Sequence, residues 1–219
     1  MFGISLPGVT RRRESFCPGP RPMRPLAHVL AAILLLPLFH VAGSQAGGSL
    51  SAVGEKAAEM WTLVGGTAED PEDKFLMVAF GNRDFVPFFH SWLCNTAGME
   101  GVHERTLLVF TDKAGHDAMV ESSSWSKAQV AYAEFDERLQ DDLAYYSVGF
   151  GLLMLHRNKV VHSLLRDGID VLMFEPDAAW ASNPMEDPHL ARSGADITGF
   201  LNKDAIGMGF TLLRSRPVV

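Results

Sequence analysis

The stretch "GIDVLMFEPDAAWASNP", residues 168–184, decides how the chain is read. Four consecutive apolar residues, 171–174, have the character of a strand buried on both faces. They run directly into Glu175-Pro176-Asp177, then a tryptophan and an Asn-Pro turn. Two carboxylates flanking one proline, at the point where a strand leaves the core, repel one another unless a cation lies near them. Hard divalent ions take one or two carboxylates and fill their other positions with water and phosphate oxygens. The residues alone therefore suggest a metal-diphosphate site. The plainer alternative stays open at this point: Glu175 as a turn cap and Asp177 as a solvated loop residue.

Outward from that stretch the pattern is regular. "SVGFGLLMLHRNKVVHSLLRDG", 147–168, sets Val160, Val161, Leu164 and Leu165 on one helical face, and Gly168 fits the left-handed position after a helix. "KFLMVAFGN" (74–82) and "RTLLVFTD" (105–112) read as buried strands ending on polar residues. Between them "RDFVPFFHSWLCNTAG" (83–98) reads as a helix, with Asp84 as candidate N-cap, Pro87 in the first turn and Gly98 as the stop. "AGHDAMVESSSWSK" (114–127) is a short helix or loop, and "AQVAYAEF" (128–135) a further strand. "GADITGF" and "IGMGFTLLRS" supply later strands. Strands alternating with helices predict an α/β fold of the Rossmann type, a mostly parallel sheet covered on both sides. In such sheets ligands bind beyond the carboxyl ends of the strands. Asn82, Asp112, Glu175 and Asp177 all fall there.

Of the 219 residues, 47% are hydrophobic, enough for one domain with a proper core. A formal net charge of -7 argues against a nucleic-acid partner. The N-terminus reads as a targeting segment. Residues 1–25 are basic, with Arg11, Arg12, Arg13, Arg21 and Arg24, and residues 26–43 are almost entirely apolar. That length is borderline for a span, which needs about 20 residues. The charge asymmetry predicts a single-pass type II anchor in the ER or Golgi membrane with a lumenal body. Small residues at Ser44 and Ala46 offer cleavage and secretion as the alternative. Residues 44–73 read as a stem or linker, and 74–219 as the folded domain. The hydrophobic segment separates Cys17 from Cys94, so no internal disulfide is expected, and Cys94 reads as a small buried hydrophobe. His156 and His162 lie six apart on one helix and do not share a face, so a zinc site is not expected. No Gly-x-Gly-x-x-Gly turn follows any strand, which disfavours a dinucleotide enzyme.

"LLRDGIDVLMFEPDAAWASNP" resembles the core signature of the nucleotide-diphospho-sugar transferases, plant α-1,3-xylosyltransferases among them. The likeness takes in "FGN", "LLVFTD", "ADITGF" and "IGMGFTLLRS", from about Phe75 onward. It implies a GT-A glycosyltransferase that moves a sugar from a nucleoside diphosphate, UDP above all, to a hydroxyl of a glycan or glycoprotein acceptor. It implies Mn²⁺ or Mg²⁺ as cofactor, bound directly by Asp177. Glu175 stands where the family has Asp, with a role at the ribose or a metal-bound water. By the same resemblance Asn82 and Asp112 approach the nucleoside; from their charge, Lys159 or Arg157 would assist the departing diphosphate. Asp196 would border the sugar and acceptor. Each has a plain alternative: a turn residue for Asn82, a helix cap for Asp112, an exposed helix face for the two bases, polarity at the start of a strand for Asp196. Trp180 reads as core packing or a loop anchor. The family domain normally continues beyond a strand like "IGMGFTLLRS", so the domain reads as incomplete on its C-terminal side. A catalytically impaired or truncated binding domain of the same fold is the second expectation.

Overall fold

Apolar runs too long to leave one face in water form the centre of a six-stranded sheet. The computed structural model describes residues 47–65, 74–135, 145, 147–191, 194–202 and 205–216. Strands β1 (Leu76–Gly81), β2 (Thr106–Phe110), β3 (Gln129–Tyr132), β4 (Val171–Phe174), β5 (Ile197–Asn202) and β6 (Ala205–Leu213) lie in the order β3-β2-β1-β4-β6-β5. β1 pairs in parallel with β2 and β4, and β2 with β3, whereas β6 runs antiparallel to both β4 and β5. The expected α/β fold with a mostly parallel sheet is the fold observed. Every residue of β2 and β4 is buried, which explains their unbroken apolar character.

Alternate residues of each strand feed two separate cores. On one face Met77, Ala79, Leu108, Phe110, Leu172 and Phe174 pack with Phe89, Trp92 and Leu93 of α2 (Val86–Thr96) and Met119 of α3 (Lys113–Ser122). On the other, Leu76, Val78, Leu107, Val109, Val171 and Met173 meet α1 (Gly47–Leu63) and α4 (Val148–Arg166). The helical face read in the sequence is the one used, since Val160, Val161 and Leu164 are buried. α4 begins on Ser147, whose hydroxyl accepts from the Phe150 amide, and gives way to Gly168 at φ 86°. That left-handed angle is open to glycine and strained for most other residues. A short helix α5 (Pro188–Ala191) follows β4 before β5.

Several expectations need correction. The stem reading does not hold over Gly47–Leu63: this segment is helical, and Val53, Ala57 and Met60 are buried in the second core. Small residues had suggested flexibility, but Val53, Ala57 and Met60, spaced four and three apart, form one buried face of a helix. Asp84 does not cap α2. Asn82 instead accepts from the Asp84 amide and opens a 3-10 turn, Arg83–Phe85, that leads into α2. Cys94 is half-buried, and the expected absence of an internal disulfide turns on Cys17, which lies outside the described residues. The basic segment 1–25 and the hydrophobic segment 26–43 also lie outside the described residues. Among the described residues no helix is long and apolar enough to cross a membrane.

Two outcomes follow from this packing. Trp92 is 1% exposed, stacks on Phe174 with centroids 4.4 Å apart, and its indole N–H has no partner. Trp92→Ala should cost about 3–5 kcal/mol in urea unfolding, and Trp92→Phe much less, because no hydrogen bond is lost. Burial also lowers the pKa of His103 on the α2 side, opposed by Glu104, and burial lowers those of His90 and His156. The unfolded chain therefore takes up protons first as pH falls below about 6.5. Stability should be level above that value and decline below it, and His103→Gln should flatten the decline.

Candidate functional site

The direction of strand connection changes between β1 and β4, so their carboxyl ends flank a crevice, the usual place for a ligand in an open α/β sheet. Asn82 follows β1 on one side and Glu175 follows β4 on the other. β4 carries its alternation one step beyond the strand. Leu172 and Phe174 face α2, Val171 and Met173 face α4, and Glu175 continues the α4 series. Its amide donates to the Gly209 carbonyl on β6 at 2.9 Å. Its carboxylate lies across Gly209 so closely that a Cβ there would sit 2.8 Å from Oε2. Glycine at 209 is what leaves room for the side chain.

Arg157 projects from α4 toward the same carboxylate. The guanidinium is half-buried, its Nε–H has no partner, and the two groups form no ion pair. Burial lowers the Arg157 pKa, while the negative charge of Glu175 raises it. A guanidinium taken partly from water and left with a free donor suits an anionic ligand such as a phosphate. Lys159, two residues on and about 200° around the helix, is exposed and stands near His156, whose pKa it helps to lower. The structure therefore brings Arg157, and not Lys159, to Glu175.

Pro176 is buried and turns the chain, which carries Asp177 away from the Glu175 side. Asp177 is exposed and borders a cleft of about 100 Å³ with Phe88, Ser91, Trp92 and Asn95 of α2. Neither carboxylate of the pair accepts a hydrogen bond from the described residues, and Glu175 does not cap the turn with its side chain. Among the described residues no group of three or more His, Cys, Asp or Glu side chains could hold a metal. Asp177 is the carboxylate of the pair that lines this cleft, so a hard cation there would have to take most of its shell from water and phosphate oxygen, and the side chains form no closed all-protein cage.

Asp112 has two partners already. Oδ1 accepts from the Gly115 amide at 2.7 Å as the N-cap of α3, and Oδ2 accepts from the Arg83 amide at 2.7 Å. The helix-cap alternative is thus its observed role, and it ties the loop after β2 to the loop after β1. Asn82 likewise uses Oδ1 on the Asp84 amide at 3.2 Å. Asp196 is a correction. It precedes Ile197, which pairs with Leu213, and Leu213 pairs with Val171 at the start of β4. Asp196 consequently sits at the opposite end of the sheet, about five residues or ~17 Å along the strand from Glu175. There it pairs with Arg216 at 3.3 Å. The family resemblance had placed it beside the sugar and acceptor, and the pairing of β5 with the antiparallel β6 sets it at the other end of the sheet. A cavity of about 280 Å³, lined by Met99, Glu100, His103, Trp125 and Lys127, also lies at that far end.

Two residues escaped the sequence reading. Gly209 lay inside a strand pattern with nothing to show that a carboxylate crosses it. Asn95 lay in a helix and carried no motif. Trp180 is half-buried, with its ring edge-on to Trp92, Phe174 and Phe210 at 5.0, 5.2 and 5.5 Å, so it anchors the loop as one of its expected readings held.

Residues 101–199 match the family model described as nucleotide-diphospho-sugar transferase. The match covers Asp112, Arg157, Glu175 and Asp177, is narrower than the likeness expected from Phe75 onward, and distinguishes no subgroup of the family. No curated protein and no solved structure matches the chain.

Gly209→Ala should swing the Glu175 carboxylate off β6. Because the displaced atoms are the free end of an exposed side chain, the stability change should stay within about 1 kcal/mol. Urea unfolding measures that cost, and the variant's crystal structure the displacement.

Proposed function

We propose that the chain is a glycosyltransferase that takes a sugar from a nucleoside diphosphate, UDP among the candidates, and passes it to a hydroxyl of a glycan or glycoprotein. One observation carries the reading. Within the segment that matches the transferase family, two unpartnered carboxylates leave β4 at the edge of the switch-point crevice, and a half-buried cation faces one of them. Residues that only coat a surface need neither this position nor a desolvated arginine.

In this reading Asp177 would hold Mn²⁺ or Mg²⁺, which when bound supplies a Lewis acid to the leaving diphosphate, while Glu175 stays on the other side of the turn near Arg157. Arg157 binds the phosphates and offsets the negative charge that grows on them. As the acceptor oxygen bonds to the anomeric carbon, the bond from that carbon to the phosphate oxygen breaks. The electron pair leaves with the diphosphate, and the acceptor hydroxyl gives up its proton to an oxygen of that leaving group. Asn82 borders the nucleoside with its amide NH₂, since its oxygen is engaged. Asp112 acts through the loops that it joins, and Lys159 contributes only long-range positive charge. The apolar segment 26–43 supports delivery of such an enzyme to the secretory pathway.

A second reading, a binding domain of the same fold without turnover, draws on the separation of Glu175 and Asp177 toward different faces of the sheet. Release of UDP from a panel of UDP-sugars in the presence of Mn²⁺ separates the two. Turnover that Asp177→Ala lowers by about 100-fold or more, equivalent to ~2.7 kcal/mol, supports the enzyme. Metal-dependent UDP binding with no release by the wild type supports the binding domain.

A further inference from the structure

The turn that carries Asp177 is fixed at both ends. At its start the Glu175 amide donates to Gly209 of β6. At its end the side chain of Asn95, 85 residues earlier, makes both bonds that a paired strand would offer to Trp180. The Trp180 amide donates to Asn95 Oδ1 at 2.7 Å, and Asn95 Nδ2 donates to the Trp180 carbonyl at 3.1 Å. Only Pro176, Asp177, Ala178 and Ala179 lie between these anchors. The Trp180 ring packs on Trp92, three residues before Asn95 on the same helix. α2 thus supplies both the anchor and the wall of the cleft that Asp177 borders.

We propose that Asn95 is a positioning residue, which acts through the Trp180 backbone to present Asp177 toward its ligand. The inference rests on the reading of Asp177 as a cation ligand, and it assigns to α2 a part in the site that no charged residue of that helix signals. A flexible turn would offer the same carboxylate in many directions, and a cation sharing its shell with a diphosphate would bind more weakly. Asn95 is itself exposed, so its two hydrogen bonds contribute little to global stability beyond what they do for the turn.

The test compares the wild type with Asn95→Ala and with His90→Ala. His90 is also on α2 but bonds Ser122 of α3, so its loss loosens the helix without touching the turn. Calorimetry with UDP, with and without Mn²⁺, gives the affinity that the metal adds, and hydrogen exchange reports on residues 176–182. In Asn95→Ala the metal-dependent gain should fall about tenfold, affinity without metal should change by less than about twofold, and exchange in the turn should quicken. His90→Ala should keep the gain. An unaltered gain in Asn95→Ala, an equal loss in His90→Ala, or unchanged exchange in the turn overturns the inference. A wild type that shows no gain at all instead overturns the cation reading, and reduces Asn95 to a loop anchor.

Discussion

β4 is held between a parallel neighbour and an antiparallel one, and is buried on both faces. Nothing charged can lie within it at tolerable cost, so the first acids after it must emerge where the sheet ends. That end is also where the strand order changes direction, between β1 and β4. The position of Glu175 follows from these two constraints, and the rest of the site is arranged around it. Gly209 gives its carboxylate room, Arg157 gives it a cation to face, and Pro176 sends the next acid to the other side.

The two ends of the sheet are built differently. At the amino ends of the parallel strands, charges are consumed by structure. Arg105 is buried and donates to the Gly101, Phe75 and Gly65 carbonyls, and Asp170 receives both Arg214 and the Ser215 amide. Asp196 with Arg216 belongs to the same group. At the carboxyl ends Asp112 is spent in this way, joining two loops, and Asp117 pairs with Lys113. Glu175 and Asp177 are exposed and have no protein partner among the described residues, and the buried Nε–H of Arg157 has none either. A buried unsatisfied donor costs stability, and a ligand that binds it would recover that cost.

Much of this could be read from the residues. The unbroken apolar runs at β1, β2 and β4 announced a buried sheet, and Gly168 marked the end of α4, because both are local effects of burial and backbone angle. The position of Glu175-Pro176-Asp177 at a strand exit was equally legible. Partnering was not. Whether Asp112 is a cap or a ligand depends on where Arg83 and Gly115 lie, and that is a tertiary fact. Asp196 was expected beside the sugar by resemblance, and the motif before β5 does not show at which end of the sheet the antiparallel return through β6 leaves it. α1 was taken for a stem because small residues look the same whether they flex or pack. Asn95 gave no signal, since an amide that clamps a distant backbone needs no motif.

The central claim is that Asp177 holds a cation against a nucleoside diphosphate. Paramagnetic broadening of the protein's amide resonances by Mn²⁺ in the presence of UDP tests it most directly. The account predicts that residues 175–179 broaden first, followed by the loop after β1. Broadening that begins at Glu100 and Glu104 at the far end of the sheet, or none that depends on UDP, would contradict it.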